Sequence, residues 1–196
     1  VSQYPLNFSI LSHALHVITH SSYNQSLAHS FYGDSFTSEW TVIPLLRAAR
    51  KKLTPEVSRQ TLGFSSADFI VCCFGMTGPL KLNHELVKAW LTSKLADDEH
   101  CILVFVGENN QGIYGEQLLS IAEQSGLGDH IRFTSWVSEE DYHHYLAAAD
   151  LGIQLRTHSR GETSAAVLDC LNYGLPTIIN ENGTMVDFPD HAVYKL

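Results

Sequence analysis

The stretch RTHSRGETSAAVLDCLNYGLP, residues 156–176, decides the fold of this 196-residue chain. An apolar run, residues 151–155, precedes it and is predicted to be a strand that leads into a basic, polar loop. The loop ends in GETS, residues 161–164, where a helix is predicted to begin, and Gly174-Leu175-Pro176 ends that helix. Strand, loop and helix in this order predict an α/β unit, and the first turn of such a helix can bind an anion.

The rest of the chain alternates between apolar runs and helical patterns. Predicted strands lie at residues 15–20, 41–44, Phe69–Phe74, Cys101–Val106, 131–134 and Thr177–Ile179. Predicted helices lie at residues 7–15, 21–32, 82–95, 115–125 and from Ser138 onward. In the helix over residues 82–95, Leu86, Ala89 and Trp90 fall on one apolar stripe. Continuous apolar strands that alternate with helices predict an α/β fold with a doubly wound, mostly parallel, Rossmann-like sheet.

A basic segment, residues 47–61, interrupts this alternation and is predicted to be linker-like. The change in composition predicts a domain boundary near residues 44–66. We therefore expect residues 1–66 to hold the end of a preceding domain and a linker, and residues 67–196 to form a second domain. Because Val1 stands where a start methionine would be, the chain is expected to be a piece of a longer protein.

Composition excludes several classes of function. The formal net charge of -9 disfavours nucleic acid as a partner. No apolar run has the length of a membrane span, and no signal peptide is visible. No CxxC pair and no zinc spacing among the 11 histidines occur, so neither a disulfide framework nor a metal is expected, and a reducing cytoplasm fits. The cysteines, all in apolar surroundings, are Cys72, Cys73, Cys101 and Cys170.

In a doubly wound sheet, ligands bind at the carboxyl ends of the strands, near the point where the strand order reverses. Loops rich in Gly, polar or charged residues follow four predicted strands, at residues 75–81, 107–111, 135–137 and 156–164. The first, in FGMTGPLKLN (residues 74–83), offers Gly75 for a close backbone approach and Lys81 as a point charge for a phosphate. It matches neither the P-loop nor the GxGxxG pattern. The alternative is a Gly-Pro turn with a surface lysine.

The last loop offers the amides of Thr163, Ser164 and Ala165 as phosphate ligands in the first turn of the helix. Glu162 would repel a phosphate, so its candidate role is to accept a hydrogen bond from a sugar hydroxyl. Asp169, further along the helix, could accept both hydroxyls of a ribose. The alternative makes Glu162 a first-turn acid favoured by the helix dipole, and Asp169 a solvated helix residue.

Two arginines, Arg156 and Arg160, flank the same loop. They could bind a diphosphate through charge-assisted hydrogen bonds. They could equally be surface arginines, and the sequence leaves both readings open.

Taken in order, the loop sequences resemble the retaining GT-B glycosyltransferases of glycosyltransferase family 4. The resemblance runs from about residue 69 to residue 196 and covers the C-terminal, nucleotide-binding domain of that fold. It lies in FGMTGPLKLNHELVKAW, CILVFVGE, IRFTSWVSEEDYHHYLAAADLGIQL and GETSAAVLDCLNYGLPTII. Residues 8–44 resemble the end of the N-terminal, acceptor-binding domain and the hinge, so most of that domain is missing.

The resemblance assigns roles to the first three loops. Gly75 and Lys81 stand where the motif G-R-L-x-x-x-K contacts the diphosphate, with Lys81 implied in catalysis. Met76 occupies the arginine position of that motif, so one charge is lost. Trp136 and Val137 stand in the loop that contacts the nucleotide base.

The resemblance also assigns the E-x7-E motif of the last loop. Asp169 stands at the second acid, which binds the ribose. Counted from Asp169, the first acid falls on Gly161, and Glu162 is one residue late; with a one-residue shift Glu162 would contact the donor sugar as a catalytic residue. Arg156 or Arg160 would compensate for the arginine lost at Met76.

The implied activity is retaining sugar transfer from a UDP-, GDP- or ADP-sugar, with no cofactor and no metal. The acceptor, a saccharide or a lipid-linked saccharide, would be bound through the missing domain, so the fragment should be inactive alone. The full-length protein would be cytoplasmic and could associate peripherally with a membrane. Two alternatives stay open: a GT-B sugar-nucleotide epimerase, and a non-catalytic nucleotide-sugar-binding or scaffold domain.

Overall fold

A computed structural model describes residues 8–33 and 39–196 of the chain. Its helices are α1 (Phe8–His13), α2 (Ser22–Tyr32), α3 (Pro55–Leu62), α4 (Asn83–Leu91), α5 (Ile113–Gln124), α6 (Glu139–Ala148) and α7 (Ala165–Tyr173). Its strands are β1 (His16–Thr19), β2 (Glu39–Val42), β3 (Phe69–Phe74), β4 (Cys101–Val106), β5 (Ile131–Phe133), β6 (Leu151–Gln154), β7 (Thr177–Ile179) and β8 (Tyr194–Lys195). Short 3₁₀ turns lie at Pro79–Lys81, Lys94–Asp97 and Gly183–Asp187.

The main sheet has six parallel strands in the order β5-β4-β3-β6-β7-β8. This is the strand order of a doubly wound Rossmann sheet, which confirms the predicted α/β fold class. The order reverses between β3 and β6, so the chain leaves these neighbouring strands toward opposite sides. The loops after β3 and β6 therefore meet at the carboxyl edge, where this fold binds its ligands.

Apolar side chains cover both faces of the sheet. In β3, Ile70, Cys72 and Phe74 pack on the face that α6 and α7 cover, while Val71 and Cys73 pack on the opposite face with α4 and α5. Strands buried on both faces lose the polar alternation of half-exposed strands, which explains their continuous apolar sequences.

The residues before the main sheet form a smaller unit, in which β1 and β2 pair in parallel and α2 lies between them in sequence. Asp187, from the 3₁₀ turn after β7, caps α2: its carboxylate accepts from the Ser22 amide and the Ser22 hydroxyl, each at 2.9 Å. Ser21, the first residue of the helix predicted over residues 21–32, holds the N-cap position, but its side chain makes no capping hydrogen bond. An acid of the main sheet domain thus fixes the start of a helix in the smaller unit.

The basic segment predicted to be linker-like contains a helix, α3. Thr54 caps this helix by accepting from the Val57 amide, and Pro55 stands at its first position. The guanidinium of Arg59 binds both carboxylate oxygens of Asp150, at 2.8 and 2.7 Å. The prediction is therefore wrong for the second half of this segment, because capping signals and a bidentate ion pair lay inside a stretch identified only by its charge.

The helix predicted over residues 82–95 ends at Leu91. The Thr92 hydroxyl donates to the carbonyl of Lys88, and Ser93 caps the following 3₁₀ turn. Of the predicted stripe, Leu86 and Trp90 are buried, but Ala89 is exposed and Val87 takes its place in the core.

Candidate functional site

The loops after β3 and β6 are tied together at the point where the strand order reverses. The Thr157 amide donates to the Leu80 carbonyl at 3.0 Å, which joins the two loops by their backbones. Asn180, at the end of β7, holds the start of the second loop: its side chain accepts from the Arg156 amide and donates to the Arg156 carbonyl, each at 2.7 Å. The two predicted ligand-binding loops therefore form one connected surface.

Buried polar side chains hold the first of these loops against its neighbours. The hydroxyl of Thr77, a buried residue, donates to Asn109 Oδ1 at 2.5 Å and accepts from the Asn110 amide at 2.8 Å. Asn83, also buried, accepts from the Gly78 amide at 2.8 Å. These bonds give the loop a fixed shape without using a charged group, so its one cation remains available to a ligand.

Two glycines allow the loops after β3 and β4 to touch. A Cβ atom on Gly107 would lie 2.8 Å from the carbonyl carbon of Gly75, a distance that side chains do not tolerate. Gly107 also forms an isolated bridge to Ser135, whose positive φ of 59° is unusual for a residue with a side chain. Three successive loops therefore lie backbone to backbone along the carboxyl edge.

Lys81 lies over Gly75 at the centre of this edge. Its Nζ would stand 2.8 Å from a Cβ on Gly75, and within the described residues the ammonium makes no hydrogen bond or ion pair. Burial lowers the pKa of Lys81, and the positive charge of Arg156 lowers it further. A half-buried ammonium without an acid partner is costly in the free protein, so an incoming anion would be favoured at this point.

Arg156 and Glu162 form an ion pair across the second loop. Arg156 Nη1 lies 3.3 Å from Glu162 Oε1, and the other carboxylate oxygen accepts from the Arg160 amide at 2.7 Å. Because each carboxylate oxygen of Glu162 has a partner in the same loop, Glu162 fixes the conformation of that loop. Arg156 lies close enough to Lys81 to lower the pKa of its ammonium, and Lys81, Arg156 and Glu162 together leave a net positive charge at this edge.

The first turn of α7 closes the site from the other side. Ser164 caps the helix, its hydroxyl accepting from the Val167 amide, and among the described residues no partner uses the amides of Thr163, Ser164 and Ala165. The Thr163 hydroxyl and the side-chain nitrogen of Gln154, both buried, also have no hydrogen-bond partner in the described residues. Unused donors at a helix N-terminus, above the end of β6, form an anion-binding arrangement.

Asp169 lies in the same helix but is engaged by Arg47, from the basic segment before α3. Its carboxylate accepts two hydrogen bonds from Arg47, Nε at 2.6 Å and Nη2 at 2.9 Å, and a third from the Tyr142 hydroxyl at 3.2 Å. The residue is only 8% exposed. These contacts raise the pKa of Arg47, chiefly through the hydrogen bond to Asp169. A ribose at Asp169 would have to share the carboxylate with these two partners.

Further bonds fasten the segment that carries Arg47 along the same face of α7. Asn172 donates to the Ala48 carbonyl at 2.8 Å, and the Lys51 amide donates to the Tyr173 hydroxyl at 3.2 Å. Residues 47–51 therefore run along the helix whose N-terminus faces the site.

The position counted as the first acid of the E-x7-E motif is Gly161, and the structure explains the glycine. Its φ is +98°, and a Cβ there would overlap Oδ1 of Asn24 in α2. A glutamate at this position would therefore need the Asn24 side chain to move aside and would adopt an unfavourable positive φ.

The loop after β5 presents its two predicted base ligands differently. Trp136 is 75% exposed, whereas Val137 is partly buried and packs against the core. Only Trp136 thus offers a free aromatic face beside the site.

A cavity of about 650 Å³ opens beside the site, between the smaller unit and two loops of the sheet domain. One side is lined by apolar and aromatic residues of β1, α2 and β2, and the other by residues 157–160 and 181–183. Arg160 lines this cavity, whereas Arg156 does not. Arg156 and Arg160, which the sequence analysis gives the same candidate role, therefore lie in different places.

A family model for "Glycosyl transferases group 1" matches residues 55–194, most of the chain. This chain belongs to the group 1 glycosyl transferases. The match begins at Pro55, the first residue of α3, and includes every loop of the candidate site. A search of curated proteins found no significant match.

Solved structures of glycosyltransferases share the fold of this group 1 glycosyl transferase. Anabaena HepE in complex with UDP and glucose aligns with a TM-score of 0.76 and 21% identity, over 93% of this chain and 49% of HepE. Sucrose-phosphate synthase from Thermosynechococcus elongatus aligns with a TM-score of 0.78 and 18% identity, over 96% and 46% of the two chains. WaaG, a glycosyltransferase involved in lipopolysaccharide biosynthesis, aligns with a TM-score of 0.74 and 15% identity, over 91% and 48%. The chain spans about half the length of these proteins, whose GT-B sheet domain it shares.

Within residues 8–33 and 39–196, no three His, Cys, Asp or Glu side chains are grouped as metal ligands would be. In the same ranges, no helix is both long and apolar enough to cross a membrane.

Sequence reasoning missed the residues that position the site. Arg47 lay in the segment identified only by its charge, and Tyr142 lay in a helix assigned only from its acidic first turn. Thr77 and Asn180 follow strands and have the composition of ordinary turn residues, and Asn83 stands at the start of a predicted helix. The one feature of the sequence that could have indicated these three residues is their position, since each lies in or beside a loop at the carboxyl edge of the sheet.

Proposed function

We propose that this domain binds the nucleoside diphosphate part of a nucleotide sugar and serves as the donor-binding part of a retaining glycosyltransferase. The observation that carries the proposal is Lys81, a half-buried ammonium at the point where the strand order reverses, with no acid partner among the residues that the structure describes. A dianionic diphosphate would remove the cost of that charge. Membership of the group 1 glycosyl transferases supports the same ligand.

Each side of the edge would contact a different part of the donor. Lys81 and Arg156 would hold the diphosphate together with the amides of residues 163–165, and Gly75 would let it approach the backbone. Trp136 would contact the base and Asp169 the ribose, while Glu162, held by Arg156, would face the donor sugar. Arg156 would supply the charge that is missing at Met76.

Catalysis would rest on stabilising the leaving group. Breaking the bond between the sugar and the diphosphate builds negative charge on the diphosphate oxygen. Fixed cations and helix amides that face this charge lower the barrier without a metal ion, because they are in place before the reaction begins. The acceptor hydroxyl would come from the side of the preceding domain.

The ligands in the similar solved structures indicate which sugar donors to test first. HepE has been solved with UDP-glucose, and starch synthase IV from Arabidopsis thaliana with ADP and acarbose, so a hexose on UDP or ADP is the first donor to test, with GDP as the third base. A saccharide or lipid-linked saccharide would be the acceptor. We place the enzyme in the cytoplasm, at a membrane when the acceptor is lipid-linked.

The domain organisation is part of this proposal. Residues 1–66 would carry the end of the acceptor domain and the connection, and residues 67–196 the donor domain. The isolated chain would bind nucleotide but transfer no sugar.

Calorimetric titration of the chain with UDP, GDP and ADP tests the proposal. We expect one of the three to bind, with Lys81→Ala weakening its affinity about 10- to 100-fold, the range for a hydrogen bond to a charged group. Lys94→Gln, which removes an exposed cation from the turn before β4, is the matched control and should bind like the wild type. Failure of all three nucleotides to bind at millimolar concentration would contradict the proposal.

One observation favours a non-catalytic binding domain as a second candidate. Both acids that the resemblance assigns are already engaged, Glu162 by Arg156 and Asp169 by Arg47. In that case Glu162→Gln in the full-length protein would leave turnover unchanged at background, while nucleotide binding would persist. A loss of turnover in Glu162→Gln with binding intact would exclude this candidate.

A further inference from the structure

Most of the hydrogen-bonding capacity of the Asp169 carboxylate is used before any ligand binds. Arg47 Nε donates to Oδ1 at 2.6 Å and Arg47 Nη2 donates to Oδ2 at 2.9 Å, while the Tyr142 hydroxyl donates to Oδ2 at 3.2 Å. A carboxylate has about four lone-pair sites, two on each oxygen. Within the described residues, one acceptor site therefore remains free, and it lies on Oδ1.

The two side chains that hold Asp169 are themselves fixed. The ring of Tyr142 packs edge-on against Phe74, the last residue of β3, with the ring centroids 5.4 Å apart. Burial raises the pKa of Tyr142, so its hydroxyl stays protonated and donates. The planar guanidinium of Arg47 binds both oxygens at once, and residues 47–51 are fastened along α7. The carboxylate therefore cannot rotate without losing these hydrogen bonds.

Asp169 lies beside the proposed phosphate position. It stands four residues after Ala165, which places it about 6 Å further along α7 than the amides of the first turn. From the other side, Tyr142 and Phe74 connect it to Gly75, in the loop after β3. Because the ribose of a nucleotide is bonded directly to its diphosphate, a diphosphate held by these amides would bring the ribose hydroxyls to this part of α7.

Arg47 also cancels a charge that would oppose the donor. An unpaired carboxylate at this distance would repel a diphosphate, and water would screen the repulsion only partly because Asp169 is 8% exposed. The bidentate guanidinium neutralises the carboxylate, whereas a ribose hydroxyl needs only the lone pair that is left. Asp169 can thus offer an acceptor to the ribose without adding a net negative charge beside the phosphates.

We propose that Arg47 and Tyr142 are positioning residues for the nucleotide, which hold Asp169 so that its free site on Oδ1 accepts one ribose hydroxyl. The proposal rests on the donor function proposed above. A single hydroxyl differs from the two expected from the sequence, because Oδ2 already accepts two hydrogen bonds. The basic segment before α3 thereby takes part in donor recognition, since Arg47 acts on the ribose through Asp169.

Calorimetric titrations with deoxynucleotides test the proposal. The ligands are whichever of UDP, GDP and ADP binds the wild type, together with its 2′-deoxy and 3′-deoxy forms. We expect one deoxy form to bind about 10- to 100-fold more weakly than the parent, the range for a hydrogen bond to a charged group, and the other to bind like the parent. The weakened form identifies the hydroxyl that Oδ1 accepts.

Variants of the two positioning residues separate positioning from a structural role. Arg47→Gln should abolish the preference for the hydroxyl, and Tyr142→Phe should reduce it by a smaller factor, because Arg47 still binds both oxygens. A purely structural role would lower all three affinities equally and leave their ratio unchanged. Arg50→Gln is the matched control: its guanidinium has one 3.4 Å bond to the Tyr173 carbonyl, and the preference should stay as in the wild type.

Several outcomes would overturn the inference while donor binding still stands. They are equal affinity of the wild type for all three nucleotides, weak binding of both deoxy forms, and a preference that survives in Arg47→Gln. Tighter binding of the parent nucleotide by Arg47→Gln would also overturn it, since Arg47 would then compete with the ribose. If none of the nucleotides binds, the donor function itself fails and this inference fails with it.

Discussion

The Lys81 ammonium is buried and has no acid partner in the described part of the chain, and this gives nucleotide binding a pH dependence. Burial lowers its pKa below the ordinary 10.5, so the ammonium loses its proton earlier in the free folded chain than in the unfolded chain. Between these two pKa values the unfolded chain holds more protons, and the contribution of Lys81 to stability rises with pH. A bound diphosphate reverses the preference because it stabilises the protonated form.

The affinity for the nucleotide should therefore fall as pH rises through the pKa of Lys81, starting below pH 10.5. Calorimetric titrations at several alkaline pH values check this. Lys81→Arg is the control, since a guanidinium stays charged throughout and should hold its affinity to higher pH. The same decline in both proteins would show that another group titrates.

The cysteines give a dependence of opposite sign. Burial raises the pKa of Cys73 to about 11 and that of Cys170 to about 12, above the ordinary 9.0. Above pH 9.0 the unfolded chain loses thiol protons that the folded chain keeps, so this contribution to stability is present below pH 9.0 and is lost as pH rises toward 11. We expect the native thiols to resist iodoacetamide and all of them to react in denaturant. Rapid alkylation of the native protein would contradict the burial described here.

Gly161, in the loop after β6, packs against Asn24 of the smaller unit. Gly161→Ala should lower the free energy of unfolding by about 1–3 kcal/mol, from its positive φ and the overlap with Asn24. Gly174→Ala is the matched control, because it shares a positive φ but meets no atom within 4 Å, and should cost about 1 kcal/mol. Asn24→Ala should recover part of the loss at Gly161 and none at Gly174. Chemical denaturation of the three single variants and of the two double variants measures these losses, and equal losses at the two glycines would contradict the contact.

At the scale of elements, the segment over residues 47–51 is fastened to α7 chiefly by Arg47. Arg47→Gln leaves the Asp169 carboxylate with Tyr142 alone, and should cost about 1–2 kcal/mol, since the guanidinium is partly exposed. Hydrogen exchange of residues 43–53 should speed up while β3 and β4 stay protected. Arg50→Gln, a neighbouring arginine with a single long bond to the Tyr173 carbonyl, should change neither. Unchanged exchange in Arg47→Gln would mean that the ion pair does not hold the segment.

The strands of the sheet could be predicted because buried strands have continuous apolar sequences. Continuous apolar runs predicted the buried strands β3 and β4, and Gly174-Leu175-Pro176 predicted the end of α7. The helix α3 could not be predicted from charge, since what makes it part of the fold is the distant partner Asp150. The same limit applies to the site: the loops were predicted from their positions after strands, but the partners of Asp169 and Glu162 depend on tertiary contacts.

At the scale of the whole molecule, the fold brings the sheet domain and the smaller unit together at the carboxyl edge of the sheet. The Rossmann sheet supplies Lys81, Arg156 and the start of α7, while the smaller unit supplies α2, which Asp187 caps and whose Asn24 lies against Gly161 in the loop after β6. The donor site and the cavity therefore share one loop, residues 156–164, with Arg156 on one side and Arg160 on the other. A ligand in either position would contact the same loop.

The central claim is that a nucleoside diphosphate lies between Lys81 and the first turn of α7. Amide NMR spectra recorded during a titration with UDP, and with GDP and ADP in parallel, test it most directly. We predict that the largest shifts fall on Gly75 and on residues 163–165, that amides near Lys94 at the opposite edge stay still, and that Lys81→Ala reduces the shifts at a given concentration. Shifts confined to other parts of the chain, or shifts unaffected by Lys81→Ala, would contradict the site.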